Sequence, residues 1–216
     1  MVRTMDGNSV SEPRAGVNQS GIRDYHERRF LSILQRHRAV PGAEMARRTG
    51  LSKPTVSNIL RKLEGDGLVC RGDPLCGKVG KPSVPIQLDP DGVFSIGLKI
   101  GRRSADLLLL DFAGAVRRQL SATYEYPMPD AVFGFLRDGL QELVSGIPAG
   151  RRHRVCGIGI GTPFELWKWH DLAGHAAETF RSWKDVDFAR EVAAYSDLPV
   201  FVDNDATAGC LGEHLY

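Results

Sequence analysis

Within ten positions the chain carries Lys53, Thr55, Ser57, Asn58, Arg61 and Lys62, side chains whose ammonium, hydroxyl, amide and guanidinium groups suit phosphate oxygens and base edges of duplex DNA. Lys53, Thr55, Ser57 and Asn58 near the N-terminal end of a helix are candidates for base or near-base contacts. Arg61 and Lys62 one turn later are candidates for phosphates. Further on, Arg71, Lys78 and Lys81 fall in a glycine- and proline-rich segment, where they could meet the backbone or an adjacent minor groove. The competing reading is a helical hairpin with an ordinary solvated polar face, and a flexible basic linker after it.

The surrounding pattern decides how these groups would be held. Residues 42–63, GAEMARRTGLSKPTVSNILRKL, show two short apolar faces at helical spacing. Met45 and Ala46 face inward from the first, then Val56, Ile59, Leu60 and Leu63 from the second. Gly50 sits where a tight inter-helix turn requires a positive φ. Ser52 is an N-cap able to accept an orphan N–H, and Pro54 lies in the first turn, where a missing N–H matters little. A small residue, a glycine four positions on and a branched apolar stripe form the helix-turn-helix signature. Residues 23–37 add an amphipathic first helix with Tyr25, Phe30, Ile33 and Leu34 inward. Gly65 and Gly67 end the second helix of the pair, a strand over 68–71 and a return over 83–88 make a hairpin, and the whole reads as a winged helix.

At 216 residues with net charge +2, the chain has the composition of a soluble globular protein. Residues 23–81 hold 13 Lys/Arg against 6 Asp/Glu, so a basic front precedes an acidic rear, as suits a nucleic-acid module joined to something else. No apolar run is long enough for a membrane span, and residues 1–22 lack the apolar core of a secretory signal; they read as a polar, mobile arm, with cytoplasm the expected compartment. Cys70 and Cys76 have no nearby histidine, which argues against zinc, and Cys156 and Cys210 are expected to be buried reduced thiols.

From residue 89 the period changes. GVFSIGLKI, SADLLLLDF and AVRRQLSATYEY are β-rich runs with short breaks, expected to form an antiparallel meander. Residues 130–145 are helical, with Val132, Phe135, Leu136, Leu140 and Leu143 on one side. Residues 154–160 form a buried strand, 184–195 a helix, 199–202 a strand and 205–215 a closing helix. The order βββαβαβα predicts an α/β lobe with a mixed sheet.

That order behind a winged helix resembles the ROK family of repressors and sugar kinases. The resemblance rests on SKPTVSNILRKLEGDGLV, GKPSVPIQLDP, GIGIGTP and LPVFVDNDATAGCLGEH. It implies a ribonuclease-H-like, actin-type ATPase lobe. The family's kinases use a D-x-G-G-T phosphate loop; the matching stretch is Lys99-Ile100-Gly101-Arg102-Arg103, which has no metal-binding carboxylate. Their N-D-A motif is matched by Asn204-Asp205-Ala206, so Asp205 stands at the general-base position. Asn204 and Asp205 are candidate sugar-binding residues, with N-capping by Asp203 or Asp205 the plainer alternative. Phe164 stands where the family has glycine after Pro163. The E-x-G-H element, the cysteine-rich zinc motif and the second lobe are not found before Tyr216, and His170 and Gly174-His175 do not replace them. Trp167, Trp169 and Trp183 could stack on a sugar or pack between loop and lobe.

The expectation is therefore a sequence-specific transcriptional regulator, a sugar-responsive repressor of carbohydrate-metabolism genes. An arm (1–22), a DNA-binding domain (23–88) and the first lobe of a sugar-kinase-like domain (89–216, second lobe absent) would compose it. Its partners would be a double-stranded operator, bound as a homodimer, and a sugar or sugar-phosphate effector, with no cofactor, metal or catalysis. The alternatives are a ROK-type sugar kinase with an added DNA module and a non-functional fragment of a longer regulator.

Overall fold

The computed structural model describes residues 19–74, 83–164, 166–168 and 178–215, which divide into two compact units with the change at Val93–Phe94. Residues 1–18 of the expected arm, Cys76 and the wing residues Lys78 and Lys81 lie outside the described residues, while residues 19–22, expected in the arm, are helical and begin α1.

The first unit contains α1 (Gln19–His37), β1 (Ala39–Pro41), α2 (Gly42–Thr49), α3 (Lys53–Gly65), β2 (Val69–Arg71) and β3 (Pro85–Leu88). Met45 of α2 and Val56, Ile59, Leu60 and Leu63 of α3 are buried with Phe30 and Leu34 of α1, as the spacing predicts. Gly50 ends α2 in the left-handed region (φ 72°), its N–H donating to Ala46 O at 3.0 Å. Ser52 then caps α3, its Oγ accepting the Thr55 N–H at 3.3 Å. One element goes beyond the expected hairpin. The three residues of β1 pair antiparallel with β3, Val40 opposite Ile86, so the sheet has three strands in the order β1-β3-β2.

The second unit is a five-stranded mixed sheet in the order β6-β5-β4-β7-β8. The meander β4 (Phe94–Ile100), β5 (Ser104–Asp111) and β6 (Val116–Thr123) is antiparallel, as expected. Then α4 (Pro129–Ser145) crosses to β7 (Val155–Thr162), which lies parallel to β4. Short helices α5 (Glu178–Arg181) and α6 (Phe188–Ala193) lead to β8 (Val200–Asn204), parallel to β7, and α7 (Asp205–Leu215) follows directly. The alternating inward residues Ile96, Leu98, Leu107 and Leu109 meet Leu136, Leu140 and Leu143 of α4 in one apolar core.

Three local expectations are corrected. On α4, Phe133 is the buried aromatic, while Phe135 is only partly buried. The helix expected over 184–195 is the shorter α6, capped by Asp187, whose Oδ1 accepts the Arg190 N–H at 3.2 Å. Cys156 and Cys210 are exposed rather than buried, because Cys156 takes the open position of the β7 alternation and Cys210 lies in a stretch of α7, residues 206–210, that is exposed throughout. Gly157 on β7 permits close strand approach: a Cβ there would lie 2.9 Å from Pro199 O.

Because space around Gly50 is open and only its φ is demanding, Gly50→Ala should lower stability of the winged-helix unit by about 1–2 kcal/mol. Gly50→Asn should lose less, since asparagine tolerates the left-handed region. Urea unfolding of the two variants checks this; an alanine as stable as asparagine would contradict the turn assignment.

Candidate functional site

The α3 stripe of Val56, Ile59, Leu60 and Leu63 turns the opposite side of the helix to solvent. Lys53, Thr55, Ser57, Asn58, Arg61 and Lys62 are all exposed. The structure therefore brings all six candidates on this helix onto one open surface, with exposed Arg71 on β2.

Their polar groups are not equally free. Arg61 Nη1 donates to Asn58 Oδ1 at 3.2 Å, and Thr55 Oγ1 shares a 2.8 Å hydrogen bond with Ser52 Oγ at the cap. Lys62 Nζ donates to Glu27 Oε2 of α1 at 2.8 Å and to Asp66 Oδ2 at 3.1 Å, and these partners raise its pKa. Arg71 forms a two-pronged pair with Glu64, at 2.7 and 3.2 Å, which raises its pKa. Lys53 forms no ion pair among the described residues.

Sequence reasoning missed the residues that position this surface. Glu27 ties α1 to α3 through Lys62. Arg29 donates to the carbonyls of Arg48 (3.1 Å) and Thr49 (3.3 Å), satisfying the C-terminal end of α2 beside the turn. A carboxylate within a basic segment was the available signal for Glu27; nothing local points to Arg29.

In the second unit, the parallel register sets Gly161 beside Asp203 and Thr162 beside Asn204. The C-terminal ends of β7 and β8 thus meet at the start of α7, the end of an open α/β sheet where ligands are commonly held. Asn204, rather than Asp203 or Asp205, makes the main cap: its Oδ1 accepts the N–H of Ala206 (3.1 Å) and of Thr207 (3.3 Å). Its Nδ2 lies 3.3 Å from Asp205 Oδ1, which also accepts the Ala206 N–H at 3.0 Å. Asp203 Oδ1 accepts the Asn204 N–H at 2.7 Å. The hydroxyl of Thr162 is buried without a partner.

The stretch matching the kinase phosphate loop is a closed hairpin. Gly101 N–H donates to Ser104 O at 2.8 Å, and Arg102 and Arg103 occupy the exposed turn. The Tyr124 hydroxyl lies 2.8 Å from Gly101 O and 2.7 Å from Ser104 O, fastening the turn from the side. Burial pushes the Tyr124 phenol up to about 12. Lys99 is exposed on β4, opposite Asp106. No group of three or more metal-ligating side chains occurs among the described residues, and no helix there is long and apolar enough to cross a membrane.

Of the tryptophans, Trp183 is buried; its indole N–H donates to Pro127 O and its ring stacks on Phe188 at 5.8 Å. That packing removes it from the sugar-stacking candidates. Trp169, His170, Gly174 and His175 lie outside the described residues, as does the side chain of Trp167. Phe164 is 75% exposed just past β7.

A winged helix with an open polar face on its third helix, followed by a mixed-sheet lobe, defines the architecture. Residues 24–74 match the MarR family, and residues 95–216, more than half of the chain, match the ROK family. The chain belongs to the ROK family. The xylose repressor of Caldicellulosiruptor bescii is 25% identical over 197 residues, covering 91% of this chain and 49% of that protein. The xylose repressor of Bacillus subtilis is 22% identical over 200 residues, covering 93% of this chain and 51% of that protein. The crystal structure of a ROK family transcriptional regulator, homolog of the E. coli MLC protein, superposes with a TM-score of 0.58 at 20% identity, covering 90% of this chain and 49% of that one. That likeness shows the fold. The chain spans about half the length of the curated relatives it matches.

Asn204→Ala should fray the first turn of α7, with a loss of about 1 kcal/mol, and Asn204→Asp should restore the cap. Faster amide exchange at Ala206 and Thr207 in the alanine variant alone would show it. Tyr124 makes a separate forecast. Because its phenol is held neutral, its contribution is complete below its ordinary value of about 10 and is lost as pH rises through about 12. The stability advantage of the native chain over Tyr124→Phe should therefore shrink between those pH values in alkaline unfolding.

Proposed function

We propose that the chain is the DNA-reading and first-lobe portion of a sugar-responsive transcriptional repressor, acting without phosphoryl transfer. The DNA-binding domain runs from the start of α1 at residue 19 to residue 93, and the lobe from residue 94 to 216. In this reading α3 enters the major groove. Asn58, Ser57, Thr55 and Lys53 contact or approach base edges, and Arg61, Lys62, Arg71, Lys78 and Lys81 engage phosphates. Two copies bind a palindromic operator, in the cytoplasm. The observation that carries the reading is the fully exposed polar side of a capped helix whose other side is wholly buried.

Asn58 and Lys62 need a change of partner to do this. Asn58 must release Arg61 before its amide can pair with a base edge, and Lys62 must exchange Glu27 and Asp66 for a phosphate. Exposed pairs of this kind are weak, about 0.2–1 kcal/mol each, so the exchange is within reach of a phosphate contact.

Asn204 and Asp205 form one wall of the effector site. Both relatives compared above are named xylose repressors, which makes D-xylose the first effector to test. Lys99 and the fastened hairpin 101–104 argue against nucleotide chemistry, since a cation stands where a magnesium-binding carboxylate is needed.

Selection from a random duplex library followed by anisotropy titrations tests the reading. The native chain should enrich an inverted repeat. Asn58→Ala should relax preference at one position of each half-site by about 1–3 kcal/mol. Lys62→Ala should weaken all duplexes alike and reduce the salt slope by about 1. No enrichment, or an Asn58→Ala variant with unaltered preference, would defeat the base-reading assignment.

A further inference from the structure

At the other end of β7 and β8 from Asn204 and Asp205, roughly 20 Å away along the strands, the lobe has a cleft of about 480 Å³. It lies where α4, the start of β7 and the segment after α6 converge. Its apolar floor includes Leu140, Val144 and Val155, and Arg137, Arg152 and Tyr195 stand around it.

Two features distinguish it from a gap in packing. The Tyr195 hydroxyl is buried and has no hydrogen-bond partner, although buried phenols ordinarily find one. Burial pushes this phenol up to about 12, so at neutral pH it is a donor. Arg152 is also fixed in place: Nε donates to Ile147 O at 3.1 Å and Nη2 to Ser145 O at 3.2 Å, with no carboxylate paired to it among the described residues. Two of its five N–H groups are thereby used, and its positive charge is not neutralised. Arg137 is held through Nε by Asp138 at 2.9 Å, leaving its terminal nitrogens uncommitted, and Glu191 is the other carboxylate near Tyr195. An apolar floor with a fixed guanidinium and an unsatisfied hydroxyl is the composition of a small-molecule site.

We propose that this cleft is a second ligand site, taking a small organic monocarboxylate whose anion accepts from the Tyr195 hydroxyl and the Arg152 and Arg137 guanidiniums while its apolar body rests on Leu140, Val144 and Val155. The site is separate from the sugar wall and does not depend on DNA binding.

Calorimetric titration of the full chain with benzoate and phenylacetate, against the neutral isostere benzamide, tests it. One of the two carboxylates should bind at one per chain and roughly tenfold or more tighter than benzamide. Tyr195→Phe, which removes one oxygen and leaves the shape, should weaken that binding roughly tenfold. The same variant should melt no lower than the native chain without ligand, because the lost hydroxyl had no partner. Arg137→Gln should also weaken the carboxylate and leave benzamide unchanged. Equal binding of benzoate and benzamide, unaltered binding by Tyr195→Phe, or no binding of either carboxylate up to about 10 mM would overturn the proposal.

Discussion

The first backbone N–H groups of a helix have no partner inside it, and something outside must accept them. In both units the acceptor is a side chain immediately before the helix, Ser52 for α3 and Asn204 for α7. Each cap fixes where the chain turns into helical geometry, and so fixes which way the next residues point. For α3 that direction, together with the buried stripe, puts Lys53, Ser57 and Asn58 on the open side. For α7 it sets Asp205 at the junction of β7 and β8, close enough that its Cα is 3.6 Å from a Cβ built on Gly161. A Cβ at 161 would sit in ordinary van der Waals contact with Asp205, so the strand end and the helix start are packed against each other.

The charged groups around α3 act on position more than on stability. Glu27 to Lys62 joins helices 35 residues apart in the chain, and Arg29 closes the end of α2 with two carbonyl contacts. Exposed ion pairs contribute little free energy, because water solvates the separated charges almost as well. What they do is narrow the range of side-chain positions before a partner arrives. The Glu64–Arg71 pair does the same for the first wing strand, holding a guanidinium beside the last turn of α3.

Much of this architecture was legible in the chain. The 3.6 period of Val56, Ile59, Leu60 and Leu63, the left-handed Gly50 and the Ser52 cap are local features, and each was found where the spacing placed it. The meander was legible as three β-rich runs separated by short breaks. The features not foreseen depend on partners distant in sequence. Three residues of β1 are too few to show a period, and they become a strand only by pairing with β3 some forty-five positions later. Trp183 and Val186 imitate a helical stripe before α6, but they pack against the core from a non-helical segment. Cys156 sits among apolar neighbours, and only its place in the alternation exposes it. Asn204 is a candidate for the sugar alone in the sequence, although the helix start expected at 205 is the observed one and makes Asn204 the residue that caps it.

The capping role of Asn204 sharpens what the proposed sugar wall can do. With its Oδ1 committed to Ala206 and Thr207 and its Nδ2 directed at Asp205, Asn204 has little capacity left for a ligand. Asp205 Oδ1 is also engaged, but Oδ2 has no hydrogen-bond partner among the described residues. The unpartnered Thr162 hydroxyl lies on the adjoining strand end, where the register pairs Thr162 with Asn204. A carboxylate oxygen that only accepts, near a hydroxyl that can donate or accept, is complementary to a sugar's vicinal hydroxyls. Abstraction of a proton would further require an electrophilic phosphate and its metal held opposite, and the hairpin at Lys99 to Ser104 supplies neither a carboxylate nor an open glycine loop. Recognition therefore places fewer demands on this proposed wall than catalysis.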